Sequence, residues 1–334
     1  MPLDLLVPDL LAPADAPTGL RDLRLPGLEK WLARADVERS AAVGTDRWLA
    51  QRYALPPSPP VAGIAIAGED APRAGEWLRA DPVHLRIDGD SVVLHDASVL
   101  ALGIEDARAL VAALQAHFAQ DGLHFHAMAP DRWYVELPAG ERPSTVPLDE
   151  ARGRNAFGLL PSGSGRIHWA SALTEAQMVL AAHDVNRRRE AAGEPPVNSV
   201  WFWGEGAAPA RLERRYDEIH ADAPFARGLG RLSGATVRRR PAGIAEVDLL
   251  PEPQSALVVL DPLTAPMHRV AIDEWRAAAD ALDERWFRDL GTAIERFGSV
   301  RVILPRSGDT LVATLGPAAR RRWLRRARPL ATHA

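Results

Sequence analysis

Short apolar runs alternate along the chain with stretches whose apolar residues recur at helical spacing. Residues 3–7 read as a buried strand ending at Pro8 and Asp9, because a brief apolar run bounded by turn formers suits a strand covered on both faces. Leu25, Leu28, Trp31 and Leu32 then share one helical face across 25–35, with Pro26 in the first turn. A shorter helical pattern at 47–53 runs into a proline-rich break at 56–60. Residues 83–87 and 92–94 flank Asp88, Gly89 and Asp90, a hairpin signal. Leu110, Leu114 and Phe118 form one stripe of a helix over 104–118, and 123–127 and 133–137 alternate like paired strands around Pro130. Hairpin, helix and hairpin predict a small α+β subdomain at 60–147, inserted into a larger core made of 1–59 and 148–334.

Beyond it, Thr174 and Gln177 have capping-box spacing for one long helix over 174–192, stopped by Gly193 and Pro195–Pro196. A buried strand at 200–203 leads into Gly204, Glu205 and Gly206. Helical patterns at 224–232 and 272–297 and strands at 256–260 and 300–304 complete the series. This alternation predicts an α/β fold, a mainly parallel sheet flanked by helices. The strands at 3–7, 200–203, 256–260 and 300–304 are expected in that one sheet.

Composition narrows the class. The 334 residues are 47% hydrophobic and 25% charged, ordinary values for a globular protein. Cysteine is absent, which removes disulfides, thiolate zinc sites and a cysteine nucleophile. A net charge of -4 argues against a nucleic-acid protein that is basic over its whole surface. Lys30 is the only lysine among 40 basic residues, and the spread of the arginines along the chain fits a GC-rich genome better than a binding site. The opening segment lacks a basic n-region and is broken by prolines and acids, so it reads as a strand and not a signal peptide. No run of about 18 apolar residues occurs, so no spanning helix and no membrane partner is expected, and the expected location is cytoplasmic. Arg320, Arg321, Arg322, Arg325, Arg326 and Arg328 surround Trp323 and Leu324. This cluster is read first as a solvated helical segment pinned by Trp323, and second as a nucleic-acid contact.

The candidate chemistry concentrates in 183–206. Ala176, Val179, Leu180 and His183 recur at helical spacing, and Asn186 and Arg189 follow in steps of three. The turn brings Asn198 to the start of a strand whose far end is Gly204-x-Gly206. In an open α/β sheet ligands collect beyond the carboxyl ends of strands. There a Gly-x-Gly permits close approach, and Arg189 can fork an anion. His183, Asn186, Arg189, Asn198, Gly204 and Gly206 are therefore the candidate cleft residues, with core packing as the plainer alternative for His183 and both asparagines.

The pattern His183-x-Val185-Asn186-x-x-Arg189, then Gly193-x-x-Pro196-x-Asn198, then Trp201 and Trp203 into Gly204-x-Gly206 resembles the archaeal-type cofactor-independent phosphoglycerate mutases of the alkaline-phosphatase-like superfamily. Residues 224–235 and, more weakly, 25–32 resemble further segments of that family. The chain also resembles, over most of its length, bacterial RpfE-type regulatory proteins, through 80–88, 131–137, 153–155 and the helix–turn–strand motif. The resemblance implies an alkaline-phosphatase-like fold and, in catalytic members, two divalent metals with a phosphoserine intermediate. Asp9 falls where the first metal-binding aspartate would stand, and Thr45–Asp46 where the nucleophilic Ser-Asp would, which makes Thr45 and Asp9 the catalytic candidates and Asp9 and Asp46 the metal candidates. Capping by Asp9 and a helix start at Thr45 are the structural alternatives. The histidine-bearing metal loops have no counterpart: His268 lies seven residues past Asp261, and 304–309 has no histidine.

The reading that follows is a non-catalytic regulatory protein that binds a partner protein or a small anionic ligand, with no bound cofactor. Two alternatives remain. One is a phosphoglycerate mutase or phosphatase with a rearranged manganese or magnesium site. The other is a nucleic-acid accessory protein that uses the arginine cluster.

Overall fold

The computed structural model describes residues 2–11, 22–41, 44–69, 74–247, 255–306 and 308–333. The chain begins with β1 (Pro2–Leu6), α1 (Pro26–Leu32), β2 (Asp36–Ser40), α2 (Thr45–Arg52) and α3 (Val61–Gly68). It continues through β3 (Glu76–Asp88), β4 (Ser91–His95), α4 (Ile104–Phe118), β5 (His124–Ala129), β6 (Arg132–Leu137), β7 (Arg142–Ser144), α5 (Leu148–Ala151) and β8 (Ser162–Ser164). Next come α6 (Trp169–Ala181), α7 (Asp184–Ala191), β9 (Ser199–Ala207), β10 (Glu218–His220), α8 (Pro224–Ser233), β11 (Thr236–Arg238) and β12 (Ala256–Val259). The last elements are α9 (Thr264–His268), α10 (Ile272–Leu282), α11 (Leu290–Phe297), β13 (Ser299–Pro305), β14 (Thr310–Leu315) and α12 (Pro317–Arg321). They divide into two compact units, Met1–Pro57 with Arg211–Ala334, and Ser58–Ala210.

The first unit is built on a seven-stranded sheet of order β11-β10-β12-β1-β13-β14-β2. The strand β1 pairs in parallel with both β12 and β13, and β10 pairs in parallel with β11 and β12. Only β14 runs against the rest, antiparallel to both β13 and β2. Leu3, Leu5 and Val7 on one face of β1 pack with Trp31 of α1, Trp275 of α10 and Leu290 of α11 in a single core. The other face carries Ile219 beneath α8, where a Cβ on Gly230 would come within 3.2 Å of the Ile219 side chain. This is a mixed α/β architecture, a mostly parallel sheet flanked by helices, as the sequence pattern predicts.

Charged side chains interrupt that sheet, Glu218 in β10 and Asp4 in β1. Asp4, fully buried in β1, accepts from Tyr216 Oη at 2.7 Å and from Arg301 Nε at 2.7 Å, with Arg301 Nη2 also on it. The hydrogen bond that Arg301 donates to Asp4 is the main influence that raises the Arg301 pKa, and burial is the main one that raises that of Tyr216. On the opposite face Asp283 caps α1, accepting from Gly27 N at 2.9 Å and Leu28 N at 2.8 Å. It lies in a π turn, Asp283–Phe287, that splits the expected 272–297 helix into α10 and α11.

The second unit is antiparallel, and the sequence expectation needs correcting here. Its sheet has the order β4-β3-β6-β5, with β9 also on β3. The 200–203 strand was expected in the parallel sheet, yet it lies within β9 and pairs antiparallel to β3 through Trp201↔Asp81 and Val200↔Pro82. The reason is physical: β9 is covered on both sides, so it shows the same unbroken apolar run as a parallel-sheet strand. Phe202 and Val200 pack with α4 and α6, and Ala62, Ala65 and Ile66 of α3 pack with Trp77 and Tyr134 on β3 and β6. The inserted unit therefore closes at Ala210 and not at residue 147, and it takes in α6, α7 and β9. The expected hairpins do form, with Asp88 opposite Ser91 and His126 opposite Tyr134.

Removing one partner of a buried ion pair costs far more than replacing both. Asp4→Ala strands Arg301 and Tyr216 and should lower stability by about 3–5 kcal/mol in urea melts. Asp4→Leu with Arg301→Met should recover a large part of that loss; a single variant as stable as the wild type would show the pair to be idle.

Candidate functional site

The 183–206 segment works on its own unit's backbone. The expected single helix over 174–192 is broken: α6 starts at Trp169 with His168 as its cap, and α7 starts at Asp184 with His183 as its cap. Thr174 is inside α6 and donates to Ala170 O at 3.1 Å, so it caps nothing. The apolar spacing simply continues across the break. His183 Nδ1 accepts from Val185 N at 3.1 Å. Asn186, 1% exposed, donates to Leu180 O and Val197 O and accepts from Val197 N, each at 2.8 Å. It satisfies a carbonyl that the break leaves without its helical partner. Asn198 accepts from Leu85 N and donates to Leu85 O, both at 2.8 Å, so that its amide imitates one rung of a strand against β3.

Arg189 and the glycines have similar work. Arg189 is 5% exposed, with Nε on Pro195 O at 3.0 Å, Nη2 on Leu100 O and Nη1 3.2 Å from Glu194. Its donors point at two carbonyl oxygens and the Glu194 carboxylate and leave no fork for a ligand. Gly204 and Gly206 both have positive φ, and a Cβ on Gly206 would lie 2.7 Å from Pro60 Cβ. A Cβ on Gly63 of α3 would in turn sit 2.5 Å from Gly206 O. The close approach this Gly-x-Gly permits is that of α3 and Pro60.

The first unit places different groups at the carboxyl ends of its co-directional strands, the edge where open α/β sheets bind ligands. Asp9 follows β1, Asp222 follows β10, Arg240 follows β11, Asp261 follows β12 and Arg306 follows β13. Asp9 has φ 58, and its carbonyl accepts from Trp275 Nε1 at 2.8 Å. Aspartate tolerates this left-handed conformation better than most residues do. Because β12 pairs directly with β1, Asp261 and Asp9 leave neighbouring strands. Thr45 and Asp46 form the first turn of α2, after β2, which is three ladder steps from β1, or about 14 Å along the sheet. An acid there suits the helix dipole.

Two arginines on this edge pair with acids. Arg240 Nε lies 3.5 Å from Asp222 Oδ2 and 3.6 Å from Asp261 Oδ1. Burial raises the Asp261 pKa, partly offset by Arg240 and reinforced by Asp222. Arg306 is paired through Nε and Nη2 with Asp309, and Arg39 also reaches Asp309 at 3.0 Å. Of the 304–309 loop, Ser307 lies outside the described residues. Among the described residues no three His, Asp or Glu side chains are placed to hold an ion. Sequence reasoning missed Asp222 and Arg240 because β10 and β11 are three residues each, too short to show a period. The one available signal was the run of Arg238, Arg239 and Arg240.

Asn186→Ala strands the N–H and the C=O of Val197 and should cost about 3 kcal/mol. His183 must be neutral to accept from Val185, and burial, with Arg188 and Arg187 nearby, lowers its pKa. The folded chain then binds fewer protons than the unfolded one. The contribution of this cap is complete above about pH 6.5 and is lost as pH falls through the depressed folded value. His183→Asn caps without titrating, so it should flatten that acid limb in urea melts; an unchanged pH dependence would place the titration elsewhere.

No family model matches this chain. A protein described as a probable 2,3-bisphosphoglycerate-independent phosphoglycerate mutase from Geobacter sulfurreducens is 25% identical over 303 residues, covering 79% of this chain and 75% of its own. The 2,3-bisphosphoglycerate-independent phosphoglycerate mutase of Methanosarcina barkeri is 25% identical over 205 residues, 55% of this chain and 52% of its own, so the match spans about half of that relative. Among solved structures, the PH0037 protein of Pyrococcus horikoshii superimposes with a TM-score of 0.60 at 13% identity, over 99% of this chain and 92% of its own. The chain is homologous, at low identity, to the cofactor-independent phosphoglycerate mutases.

Proposed function

We propose that this chain is a non-catalytic relative of the cofactor-independent phosphoglycerate mutases, a regulatory protein of RpfE type in the cytoplasm that binds a small phosphorylated or carboxylated ligand without a metal. The observation that supports this most is Arg240, set between Asp222 and Asp261 at the carboxyl edge of the parallel sheet. A divalent ion needs oxygen ligands at about 2.0–2.6 Å, and the guanidinium occupies the space between these two carboxylates. Arg239, exposed beside it, extends the positive edge. Arginine forks match phosphate and carboxylate oxygens, so this edge can hold an anion that the catalytic relatives hold through metals. Asp9, Thr45 and Asp46 remain the residues on which the rival reading, a phosphoryl-transfer enzyme with a rearranged manganese or magnesium site, would depend.

The purified protein should show no interconversion of 2- and 3-phosphoglycerate with manganese or magnesium, and manganese should not shift its melting temperature. Arg240→Ala frees two carboxylates, and its melting temperature should rise with manganese, while its response to 3-phosphoglycerate or inorganic phosphate should weaken about tenfold, the scale of losing one charged hydrogen-bond donor. Turnover by the wild type that Thr45→Ala abolishes would establish the enzymatic alternative instead.

A further inference from the structure

The arginine cluster at 320–328 has the opposite construction from the one its sequence predicts. Trp323 does not pin it: Trp323 is 69% exposed and Leu324 is 76% exposed. The anchors lie on either side. Ala319 and Leu330 are buried, Arg320 pairs with Glu295, and Leu330 N donates to Glu29 Oε1 at 3.0 Å. Arg322 donates to Arg34 O at 2.9 Å and to Asp36 Oδ1 at 2.7 Å. Arg325 N then returns to Arg322 O at 3.1 Å. Arg322 to Arg325 is thus a closed turn with a fixed base, and its two central residues are a tryptophan and a leucine. Turn centres favour Gly, Asn, Asp and Pro, so two large apolar residues there have no local reason. Arg321, Arg325, Arg326 and Arg328 are all exposed around them.

We propose that this turn is a peripheral docking site for a membrane surface rich in anionic phospholipid, with Trp323 and Leu324 entering the interface and the four arginines meeting the headgroup phosphates. No described helix is long and apolar enough to cross a membrane, and lying on a membrane is a separate physical matter from spanning one. The paired signal is what a reversible contact requires, since neither a small apolar insertion nor a short basic patch holds a protein there alone. Tryptophan is suited to the headgroup level because its ring is apolar and its N–H is polar. Charge complementarity is local: the chain carries -4 overall, so an anionic surface attracts this face and repels the average of the rest. Single-stranded nucleic acid would also accept the arginines and would stack on Trp323, but it gives Leu324 no apolar cover. The lipid interface covers both.

The test is co-sedimentation of the full chain with phosphatidylcholine vesicles, with and without phosphatidylserine, alongside anisotropy with a labelled single-stranded oligonucleotide. The wild type should sediment with the phosphatidylserine vesicles at low salt, stay in solution with phosphatidylcholine alone, and be released as salt approaches about 0.5 M. Trp323→Ala/Leu324→Ala and Arg325→Glu/Arg326→Glu/Arg328→Glu should each lower vesicle partition at least about tenfold, with melting temperatures unchanged because these side chains are exposed. Failure of the wild type to sediment with anionic vesicles overturns the proposal. So does a Trp323/Leu324 variant that binds as the wild type does, which would reduce the contact to non-specific charge. Oligonucleotide binding without vesicle binding would replace it with the nucleic-acid reading.

Discussion

The directionality of the parallel sheet governs what the first unit can do. A ladder in which β1, β10, β11, β12 and β13 all run one way sends every loop after a strand to the same edge. Side chains with no sequence proximity, such as Asp222, Arg240 and Asp261, then meet within a few ångströms. Antiparallel β14 is the exception that keeps β2 in the common direction, so α2 and its Thr45–Asp46 turn start from that edge as well. The register that aligns these ends is held by strands with apolar residues on both faces, and by the Asp4, Arg301 and Tyr216 contact across three of the chain's distant segments.

The second unit shows how a closely spaced polar motif can serve architecture. His183, Asn186, Arg189 and Asn198 spend their polar atoms on Val185, Leu180, Val197, Pro195, Leu100 and Leu85. Each satisfies backbone at a helix break or a strand start, where an unmet buried donor or acceptor is costly. The glycines at 204 and 206 complete the same device by letting α3 lie directly on β9. A spacing that looks like a ligand cradle is filled by the chain itself. The buried Arg79 and Asp81 pair beside it, with Trp203 Nε1 on Asp81 at 2.8 Å, ties β3 to β9 in the same way.

Legibility in the sequence followed length and burial symmetry. Ile104–Phe118 was readable end to end because one stripe is apolar and the other faces are not. The hairpins were readable from Asp88, Gly89 and Asp90 and from Pro130. By contrast α3, with the sequence VAGIAIAG, is buried nearly all round and has no stripe to read. The strand β9 was identified as a strand and given the wrong sheet, since two-sided burial hides whether its neighbours are parallel. The continuous spacing from Ala176 to His183 concealed a helix break that only hydrogen bonds reveal. Resemblance located Asp9 and Thr45 at the sheet edge, but Arg240, which comes to lie between two acids, follows a three-residue strand that no periodicity marks.

A guanidinium between two carboxylates changes what that edge can do, and the reason lies in the kind of charge. A divalent ion has open coordination positions; it binds a hydroxyl oxygen directly and lowers the pKa of that hydroxyl until an alkoxide exists near neutral pH. Arg240 has one delocalised charge and only N–H donors. It can orient an anionic oxygen and offset the field of Asp222 and Asp261, but it cannot withdraw a proton from a threonine hydroxyl. Its charge is also tethered, present at any metal concentration. Recognition of an anion survives such a replacement, and nucleophile activation by a metal does not. On the reading proposed above, homology to a mutase and a binding role would meet in this one sheet edge, with Arg240 between Asp222 and Asp261 as the residue that separates them.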